Sequence, residues 1–456
     1  MSSSLLDQAT RIARDFDYPA EKVQRGVAEY IKQSNEGLTK EGTTLSQIPT
    51  FVTAVPNGTE KGLYLAVDLG GTNFRVCSVL LHGDTTFSLT QSKILIPREL
   101  MASGTSKDLF SFLARQIEAF LRIHHNEHFE AHQLRRREDN NEEDLFDLGF
   151  TFSFPVRQCG INRGTLIRWT KGFNIPDAVG HDVCALLQSA IDELNLPVRV
   201  AALVNDTVGT LMARSYTSPG KTGTFLGAIF GTGTNGAYVE KTKNITKLQH
   251  MKDAHFDDST SEMIINAEWG SFDNHMSVLP TTVFDDELDA DSNNPGVQMF
   301  EKRVSGMFLG EILRRALLSL HRNTDLGLFK ANKNSKVVLL KADSSKDLVD
   351  AVKIIVHAIG KRAARLSAVP LAAILVHTNK LETDDIIDIG VDGSLVEFYP
   401  NFEGHMREAL REVPEVGVAG DKKIRIGISK DGSGVGAALI ALVANKDNDL
   451  EVPREK

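Results

Sequence analysis

A short segment near residue 70 combines glycines with polar side chains in a pattern that could bind phosphate. The aliphatic run 63–67 is followed by Asp68, by a Gly-Gly-Thr-Asn turn at 70–73 and, beyond Arg75, by the aliphatic run 76–81. Two apolar runs around a glycine turn predict a β-hairpin. Glycines let backbone N–H groups approach an anion, Asp68 could hold a divalent cation, and Arg75 could stabilise a transferring phosphoryl group. The alternative interpretation is an ordinary hairpin with an exposed aspartate.

A second segment has the same construction. Residues 225–238 contain an apolar strand, a Gly-Thr-Gly-Thr-Asn tip at 231–235 and another apolar strand. Two similar hairpins far apart in the chain predict two structurally related halves that face one cleft. Neither hairpin is a P-loop, because the chain contains no Gly-x-x-x-x-Gly-Lys-Ser/Thr sequence. Neither is followed directly by a helix, so the dinucleotide-binding fingerprint also fits poorly.

Three acidic residues lie where predicted buried elements begin or end. The aliphatic strand 198–204 runs into Asp206, and the carboxyl end of a buried strand is where α/β folds place their chemistry. A helix N-cap is the other interpretation of Asp206, and both can hold together. Glu268 lies between apolar residues, where a carboxylate is costly to bury without partners. Glu301 lies in the first turns of a helix predicted over 294–320, where it could simply favour the helix dipole.

Hydrophobic periodicity predicts the elements that must position these residues. The expected helices lie at 4–34 with a break near Tyr18-Pro19, at 107–123, at 178–194 and at 353–376 with a break near Pro370. Further strands are expected at 86–96, at 386–391 and at 424–428. The last strand runs into a Gly/Ser-rich turn and a helix, an arrangement that can contact a nucleotide.

Composition restricts the class of protein. A chain of 456 residues predicts one large domain or two of medium size. The net charge of −9 argues against a general nucleic-acid binder, which needs a basic surface. Three cysteines without metal-like spacing favour a reducing compartment, and we expect the protein in the cytoplasm. We recognise no signal peptide and no apolar run of about 18 residues, so no membrane span is expected.

Taken in order, these segments resemble the hexokinase family from about residue 20 to about residue 445. The motifs that carry the resemblance are residues 69–73 (Leu-Gly-Gly-Thr-Asn), 151–155 (Thr-Phe-Ser-Phe-Pro), 168–173 (Arg-Trp-Thr-Lys-Gly-Phe), 205–209 (Asn-Asp-Thr-Val-Gly), 231–235 (Gly-Thr-Gly-Thr-Asn), 266–272 (Asn-Ala-Glu-Trp-Gly-Ser-Phe), 301–302 with 305–306, and 430–436 (Lys-Asp-Gly-Ser-Gly-Val-Gly). Details at 165–171, 301–311 and 369–374 look closest to fungal glucokinases.

The resemblance implies an α/β protein with the actin-like ATPase (ribonuclease H-like) fold, in which a cleft separates two duplicated α/β domains. By this resemblance, the small domain comprises 62–206 and 441–456, and the large domain comprises 1–61 and 207–440. The implied reaction is ATP-dependent phosphorylation of D-glucose at its 6-hydroxyl to give glucose 6-phosphate, which feeds glycolysis. The family closes its cleft on the sugar, which keeps ATP from reacting with water.

The resemblance also assigns roles to residues. The implied catalytic residues are Asp206 as the base that accepts the hydroxyl proton, Lys171 and Arg75. The implied sugar-binding residues are Ser153, Thr170, Lys171, Asn205, Asp206, Asn235, Glu268 and Glu301. The implied nucleotide-binding residues are Asp68, Gly70, Gly71, Thr72, Asn73, Lys93, Gly231, Thr232, Gly233, Gly306, Gly393, Ser394 and Gly432. Mg²⁺ is expected to enter with ATP rather than on protein ligands of its own, with Asp68 or Asp206 as side chains that could approach it.

One departure from the family leaves alternatives open. The segment 321–352 is shorter than usual by several tens of residues, which puts adenine binding and stability in doubt. A broad hexokinase that also accepts fructose and mannose shares the same key residues. A sugar-binding sensor with impaired catalysis is a further alternative, and an actin- or chaperone-like ATPase is the last. The expected partner is a small hexose, and the protein is expected to be a monomer or a homodimer.

Overall fold

The computed structural model describes residues 4–102, 104–137, 145–251, 254, 260–322, 346–383, 385–429 and 431–451. Most of the shortened segment (323–345) and Lys430 of the last motif lie outside the described residues. The strands are β1 (Ile48–Pro49), β2 (Lys61–Leu69), β3 (Asn73–His82), β4 (Phe87–Leu95), β5 (Phe146–Phe152), β6 (Val156–Gly160), β7 (Arg163–Leu166), β8 (Val198–Val204), β9 (Thr224–Phe230), β10 (Thr234–Lys241), β11 (Glu262–Asn266), β12 (Ile387–Asp392) and β13 (Ile424–Ile428).

The α-helices lie between and around these strands. They are α1 (Leu5–Arg14), α2 (Ala20–Thr39), α3 (Arg98–Ala102), α4 (Ser106–His124), α5 (Asn126–Arg137), α6 (Val183–Glu193), α7 (Asp206–Thr217), α8 (Val283–Ala290), α9 (Glu301–Val304), α10 (Gly306–Arg322), α11 (Lys346–His377), α12 (Ser394–Phe398), α13 (Phe402–Arg411), α14 (Gly417–Lys423) and α15 (Ala437–Glu451). A π-helical turn, Gly432–Gly436, leads into α15.

Two sheets of the same construction form the framework. The strand order is β4-β3-β2-β5-β8 in one sheet and β1-β11-β10-β9-β12-β13 in the other. In the first sheet β4, β3 and β2 are antiparallel, and β5 and β8 continue parallel to β2. In the second sheet β11, β10 and β9 are antiparallel, and β12 and β13 continue parallel to β9. The repeated plan confirms the predicted pair of related α/β halves.

The predicted site residues follow the ends of the parallel strands. Strands β2, β5 and β8 end at Leu69, Phe152 and Val204, and strands β9, β12 and β13 end at Phe230, Asp392 and Ile428. Since the carboxyl ends of parallel strands meet at one edge of a sheet, each sheet gathers its polar turns at a single edge. The two predicted hairpins are β2–β3 and β9–β10.

Several predicted helices are confirmed. The N-terminal helical region breaks between α1 and α2, as expected from Tyr18-Pro19, and α4 matches the predicted helix at 107–123. The helix expected from residue 178 begins later, at Val183. Asp182 is its N-cap and accepts a hydrogen bond from the Cys184 N–H at 2.9 Å, while Pro176–Ala178 forms a separate 3₁₀ turn.

The prediction of one continuous helix over 294–320 is wrong. The structure has the four-residue helix α9 and then α10, with Ser305 in an extended conformation between them. The break arises because two backbone N–H groups bond outside the helix. The N–H of Gly306 donates to the Gly231 carbonyl at 2.8 Å, and that of Met307 donates to the Thr232 carbonyl at 3.2 Å.

The break predicted near Pro370 is also wrong, because α11 runs through the proline without interruption. Proline removes one backbone donor and normally kinks or ends a helix. Here almost every residue of 359–375 is buried, including Leu366, Val369 and Ile374. Packing of the surrounding core therefore holds the helix across the proline, since tertiary burial contributes more than local propensity.

Three apolar cores support the two sheets. One surrounds the six-stranded sheet and includes α11, and another lies between the five-stranded sheet, α4 and α6. In the third, α7 and α15 pack against residues of both sheets, among them Val79 and Ile264. The division into domains at 61–62, 206–207 and 440–441 stays a prediction. Within the described ranges, no helix has the length and apolar character needed to cross a membrane.

Candidate active site

The turn between β2 and β3 opens into a cavity of about 830 Å³. The residues that line it are Asp68, Gly70, Gly71, Thr72, Asn73, Arg75, Gln91 and Lys93. Lys93 reaches this place because it is the cross-strand partner of Arg75 in the β3–β4 pair. All the residues predicted for the first phosphate turn, and Lys93, are therefore brought together. Gln91 was missed by the sequence analysis, although it lies two residues before Lys93 and so on the same face of β4.

Charged contacts surround Arg75. Its Nη2 atom lies 3.1 Å from Oδ2 of Asp68 and also contacts the hydroxyl of Ser433, and its Nη1 atom lies 3.5 Å from Oδ1 of Asp431. Asp431 and Ser433 belong to the Gly/Ser-rich segment after β13 and had no assigned role in the sequence analysis. The guanidinium is thus already oriented beside the turn, where a bound anion would find it in place.

The second turn is built from backbone contacts. The N–H of Gly231 donates to the Gly233 carbonyl at 3.0 Å, and Gly306 donates to the Gly231 carbonyl at 2.8 Å. Gly393 has φ +114°, and a Cβ there would lie 2.4 Å from the Phe230 carbonyl oxygen. The predicted residues at 231–233, Gly306, Gly393 and the adjacent Ser394 therefore form one group.

Gly432 is positioned differently from the other predicted nucleotide-side glycines. A Cβ at Gly432 would lie 2.8–2.9 Å from atoms of Thr210, so the glycine permits close packing of the π-helical turn against α7. Its neighbour Ser433 contacts Arg75 at the first turn. The described contacts therefore give Gly432 a packing role, and a direct nucleotide contact stays a prediction.

Lys171 links the first turn to the end of β5. Its Nζ atom donates to the carbonyl oxygens of Gly70 at 2.9 Å and of Ser153 at 2.8 Å. The backbone of Lys171 has φ +55°, in a turn where the Phe173 N–H donates to the Thr170 carbonyl. Partial burial lowers the pKa of the Lys171 ammonium, and nearby carboxylates oppose this effect. Ser153, Thr170 and Lys171 thus lie together, as predicted.

Asp206 is the first residue of α7. The N-cap is Asn205, whose side chain accepts a hydrogen bond from the Thr207 N–H at 2.9 Å, so the N-cap interpretation of Asp206 is wrong. The same N–H also contacts Oδ1 of Asp206 at 2.9 Å. Burial raises the pKa of the Asp206 carboxyl, while the positive charge of Lys171 opposes the rise.

Glu268 follows β11, and its own backbone is in the left-handed conformation. Its φ of +52° places it at a sharp bend, and its Oε1 atom accepts a hydrogen bond from the Asn266 amide at 2.8 Å. Asn235 donates to Asn266 at 2.8 Å and lies 3.5 Å from the same Glu268 oxygen. The following residue, Trp269, is fully buried against Gly236. Packing and side-chain amides together hold this carboxylate.

Glu301 reaches the second turn from α9. Its Oε2 atom accepts the Thr234 N–H at 3.0 Å and would lie 2.9 Å from a Cβ placed on Gly233. The negative charge of Glu301 raises the pKa of Glu268 and opposes the lowering of the Lys171 pKa, and the charge of Asp206 raises the pKa of Glu301. Burial raises the pKa of both glutamates, as it does that of Asp206.

The arrangement thus combines three partly desolvated carboxylates, one ammonium group and the amide side chains of Asn205, Asn235 and Asn266 beside a cationic cavity. Carboxylates and amides in such a place can pair with the hydroxyls of a polyol. Among the described residues, no group of three or more His, Cys, Asp or Glu side chains is arranged to hold a metal ion.

Comparison with known proteins gives consistent results. Two family models, each described as hexokinase, match residues 8–216 and residues 225–344 with 331–443. A glucokinase from Aspergillus niger is 72% identical, with 98% of this chain and 99% of that protein covered. Glucokinase-1 from Saccharomyces cerevisiae is 44% identical, with 97% and 98% covered.

A solved structure also spans the chain. The hexokinase from Schistosoma mansoni complexed with glucose has a TM-score of 0.74 and 34% identity, and the match covers 97% of this chain and 99% of that one. It supports the predicted actin-like ATPase fold. The alignment with the A. niger relative runs over 488 positions, 32 more than the 456 residues of this chain. The second family model matches in two segments that overlap at 331–344, as a shortening within 321–352 would produce. This chain belongs to the hexokinase family.

Proposed function

We propose that this chain catalyses the ATP-dependent phosphorylation of D-glucose to glucose 6-phosphate, a step that feeds glycolysis. The observation that carries the proposal is the grouping of Asp206, Glu268 and Glu301 with Lys171, next to the cavity at the 70–73 turn. The names of the A. niger and S. cerevisiae relatives, and the glucose in the S. mansoni hexokinase structure, support glucose as the sugar.

Asp206 is the proposed base. A sugar hydroxyl is a weak nucleophile, and a carboxylate that accepts its proton orients it for attack on a phosphoryl group. Burial raises the pKa of Asp206, which makes the ionised form a better proton acceptor. The positive charge of Lys171 lowers the pKa of Asp206 and so opposes the effect of burial in favour of the ionised carboxylate.

The remaining sugar hydroxyls are proposed to pair with the amide and carboxylate groups around Asp206. Each hydroxyl can donate and accept, whereas Glu268 and Glu301 accept only and Asn205 and Asn235 do both. Such groups discriminate strongly against a sugar that lacks a hydroxyl, because buried polar atoms would be left unpaired. Ser153 and Thr170 complete the proposed set.

The first turn is proposed to hold the phosphates of ATP. ATP supplies the phosphoryl group, and Mg²⁺ neutralises part of its charge when bound. The cavity fits this ligand, because its lining combines the cationic side chains of Arg75 and Lys93 with two glycines of the turn, and glycine lets a backbone N–H group approach an anion closely. Asp68 supplies the carboxylate in the lining of this cavity, and carboxylate oxygens are ligands that Mg²⁺ accepts. The second turn, with Gly306 and Gly393, is proposed to contact the nucleotide from the other sheet.

We also infer a cytoplasmic location. No disulfide bond joins Cys77, Cys159 and Cys184, which all lie in the described ranges, and thiols persist in a reducing compartment. We further propose that the chain is divided into a small and a large domain. We also propose that the protein is a monomer or a homodimer.

Turnover by the purified full chain tests the proposed function. Coupled assays with ATP and Mg²⁺ would compare saturating glucose, fructose and mannose. Strong turnover on glucose with little on fructose is expected for a glucokinase. Equal turnover on all three sugars would make the protein a broad hexokinase. Glucose binding without turnover, detected as a change in tryptophan fluorescence from Trp169 or Trp269, would instead make it a sugar-binding sensor whose shortened 321–352 segment has cost it catalysis.

A further inference from the structure

A continuous chain of neutral side chains joins the start of α7 to Glu268. Thr207 donates its hydroxyl to the Asn205 side chain and accepts the Asn235 amide at 3.0 Å. Asn235 donates to Oδ1 of Asn266 at 2.8 Å, and Asn266 donates to Oε1 of Glu268 at 2.8 Å. The chain therefore runs from beside Asp206, the proposed base, to a proposed sugar carboxylate.

Asn266 is the one member of this chain that bonds to Glu268 through both its amide atoms. Its Nδ2 donates to the carboxylate, and its Oδ1 also accepts the Glu268 backbone N–H at 3.3 Å. The residue is only 5% exposed, so its two polar ends are committed to protein partners. Its Cα is the cross-strand partner of both Ile48 and Ala237, which fixes the end of β11 from either side.

We propose that Asn266 is a positioning residue for sugar phosphorylation, whose amide orients the Glu268 carboxylate and the Asn235 amide toward the sugar. This inference rests on the proposed function and adds a residue that does not itself touch the sugar. Asn266 thereby influences the affinity for glucose rather than the rate of the chemical step.

An amide is required at position 266 because the charge around Glu268 is already negative. Burial raises the pKa of Glu268, the charges of Asp206 and Glu301 raise it further, and the Asn266 amide opposes them by donating a hydrogen bond to the ionised form. Lys171, the ammonium group of the site, lowers the pKa of Asp206 and of Glu301. A carboxylate at 266 would therefore add repulsion where the wild-type side chain supplies a donor.

Asn266→Asp is the sharpest test, because the substitution preserves shape and changes only charge and donor capacity. At about pH 8 both carboxylates ionise and repel, and KM for glucose should rise about 10- to 100-fold while kcat and KM for ATP change much less. At about pH 6 the two carboxylates can share one proton, which restores the missing donor. KM should then fall again. The wild-type KM should stay level or rise over the same interval, since protonation of Glu268 can only weaken its role as acceptor.

Asn244→Asp is the matched control. Asn244 also donates from its amide to a buried glutamate, Glu240, at 2.8 Å, and it lies in none of the proposed binding groups. The same chemical change there should lower thermal stability without moving KM for glucose at either pH. A pH-dependent KM in both variants would show a general effect of buried charge and would overturn the positioning role.

A second variant covers the case in which Asn266→Asp does not fold. Asn266→Ser is neutral and too short to reach the carboxylate, so KM for glucose should be raised at both pH values with no recovery at the lower one. An unchanged KM in a folded variant at 266 overturns the inference while wild-type turnover leaves the proposed function standing. Wild-type protein that neither phosphorylates glucose nor binds it in calorimetry would overturn both.

Discussion

The turns at 70–73 and 231–233 occupy equivalent places in the two sheets, yet different interactions hold them. Charges dominate around the first turn, where Arg75 pairs with Asp68 and the Lys171 ammonium donates to the Gly70 carbonyl. Backbone groups dominate around the second, where the Gly306 N–H donates to Gly231. The two hairpins therefore share one backbone plan, but charged side chains hold the first turn and backbone hydrogen bonds hold the second.

The difference follows from what each turn faces. The first turn opens into a cavity of about 830 Å³, where its charged groups are accessible to an anion. The second turn packs against Glu301, whose carboxylate accepts the Thr234 N–H. The backbone of the second turn would therefore position a carboxylate that is proposed to bind the sugar, whereas the first turn would offer charged groups to the proposed nucleotide. The four predictions below test this division.

The largest effect is expected at Asp206, which interacts with residues beside both turns. Asp206 interacts with Asp68 on one side and with Glu268 and Glu301 on the other. Asp206→Ala should lower kcat by about 10²–10⁴-fold, because it removes the proposed proton acceptor, while glucose should still change the tryptophan fluorescence because the other proposed hydroxyl partners remain. Coupled assays and tryptophan fluorescence measure the two effects. Asp84→Asn, at an exposed turn, is the control. Unchanged turnover in the alanine variant would remove Asp206 from the mechanism.

Loss of the arginine at the first turn should separate the two ligands. Arg75→Met should lower kcat/KM for ATP by about 10²–10³-fold, as expected for removal of one group that stabilises charge on the transferring phosphoryl. KM for glucose should change little, because Arg75 contacts no proposed sugar residue. Arg122→Met serves as control, since Arg122 pairs with Glu118 on the exposed face of α4. Equal effects on both substrates would contradict the division between the turns.

A methyl group added at the second turn should change KM for glucose, whereas one added at the first turn should not. A Cβ at Gly233 would lie 2.9 Å from the Glu301 carboxylate, whereas a Cβ at Gly71 would meet no atom within 4 Å. Gly233→Ala should displace Glu301 and raise KM for glucose about tenfold. Gly71→Ala should leave that constant unchanged. If the two alanine variants gave the same glucose KM, the second turn would not position Glu301.

The pH profile should show the smallest but most general effect. Burial raises the pKa of Asp206, and the neutral carboxyl cannot accept a proton. Turnover should therefore fall as the pH drops through that raised pKa, which lies above the usual carboxyl value of about 4. The same fall in turnover at low pH should persist in Arg75→Met, because the first turn does not supply the proposed base. A kcat independent of pH down to about 4 would contradict the role of Asp206.

Local sequence signals predicted much of this site. The two glycine turns, the strand before Asp206 and the break between α1 and α2 all follow from patterns a few residues long. Cooperation between distant segments was harder to predict. The α9–α10 break depends on Gly231, seventy-five residues before Gly306, and the intact helix at Pro370 depends on its buried surroundings. Neither cause is visible within the segment that it changes.

The sequence by itself determined which chemical groups the protein carries and where its hairpins turn, because glycine turns and apolar runs act over short distances. Motif order was enough to indicate the hexokinase family. Only the tertiary structure decided that Lys171 bonds to Gly70 and Ser153, and that Asn266 stands between Asn235 and Glu268. Those contacts join strands from distant parts of the chain, and their geometry exists only once the sheets have packed.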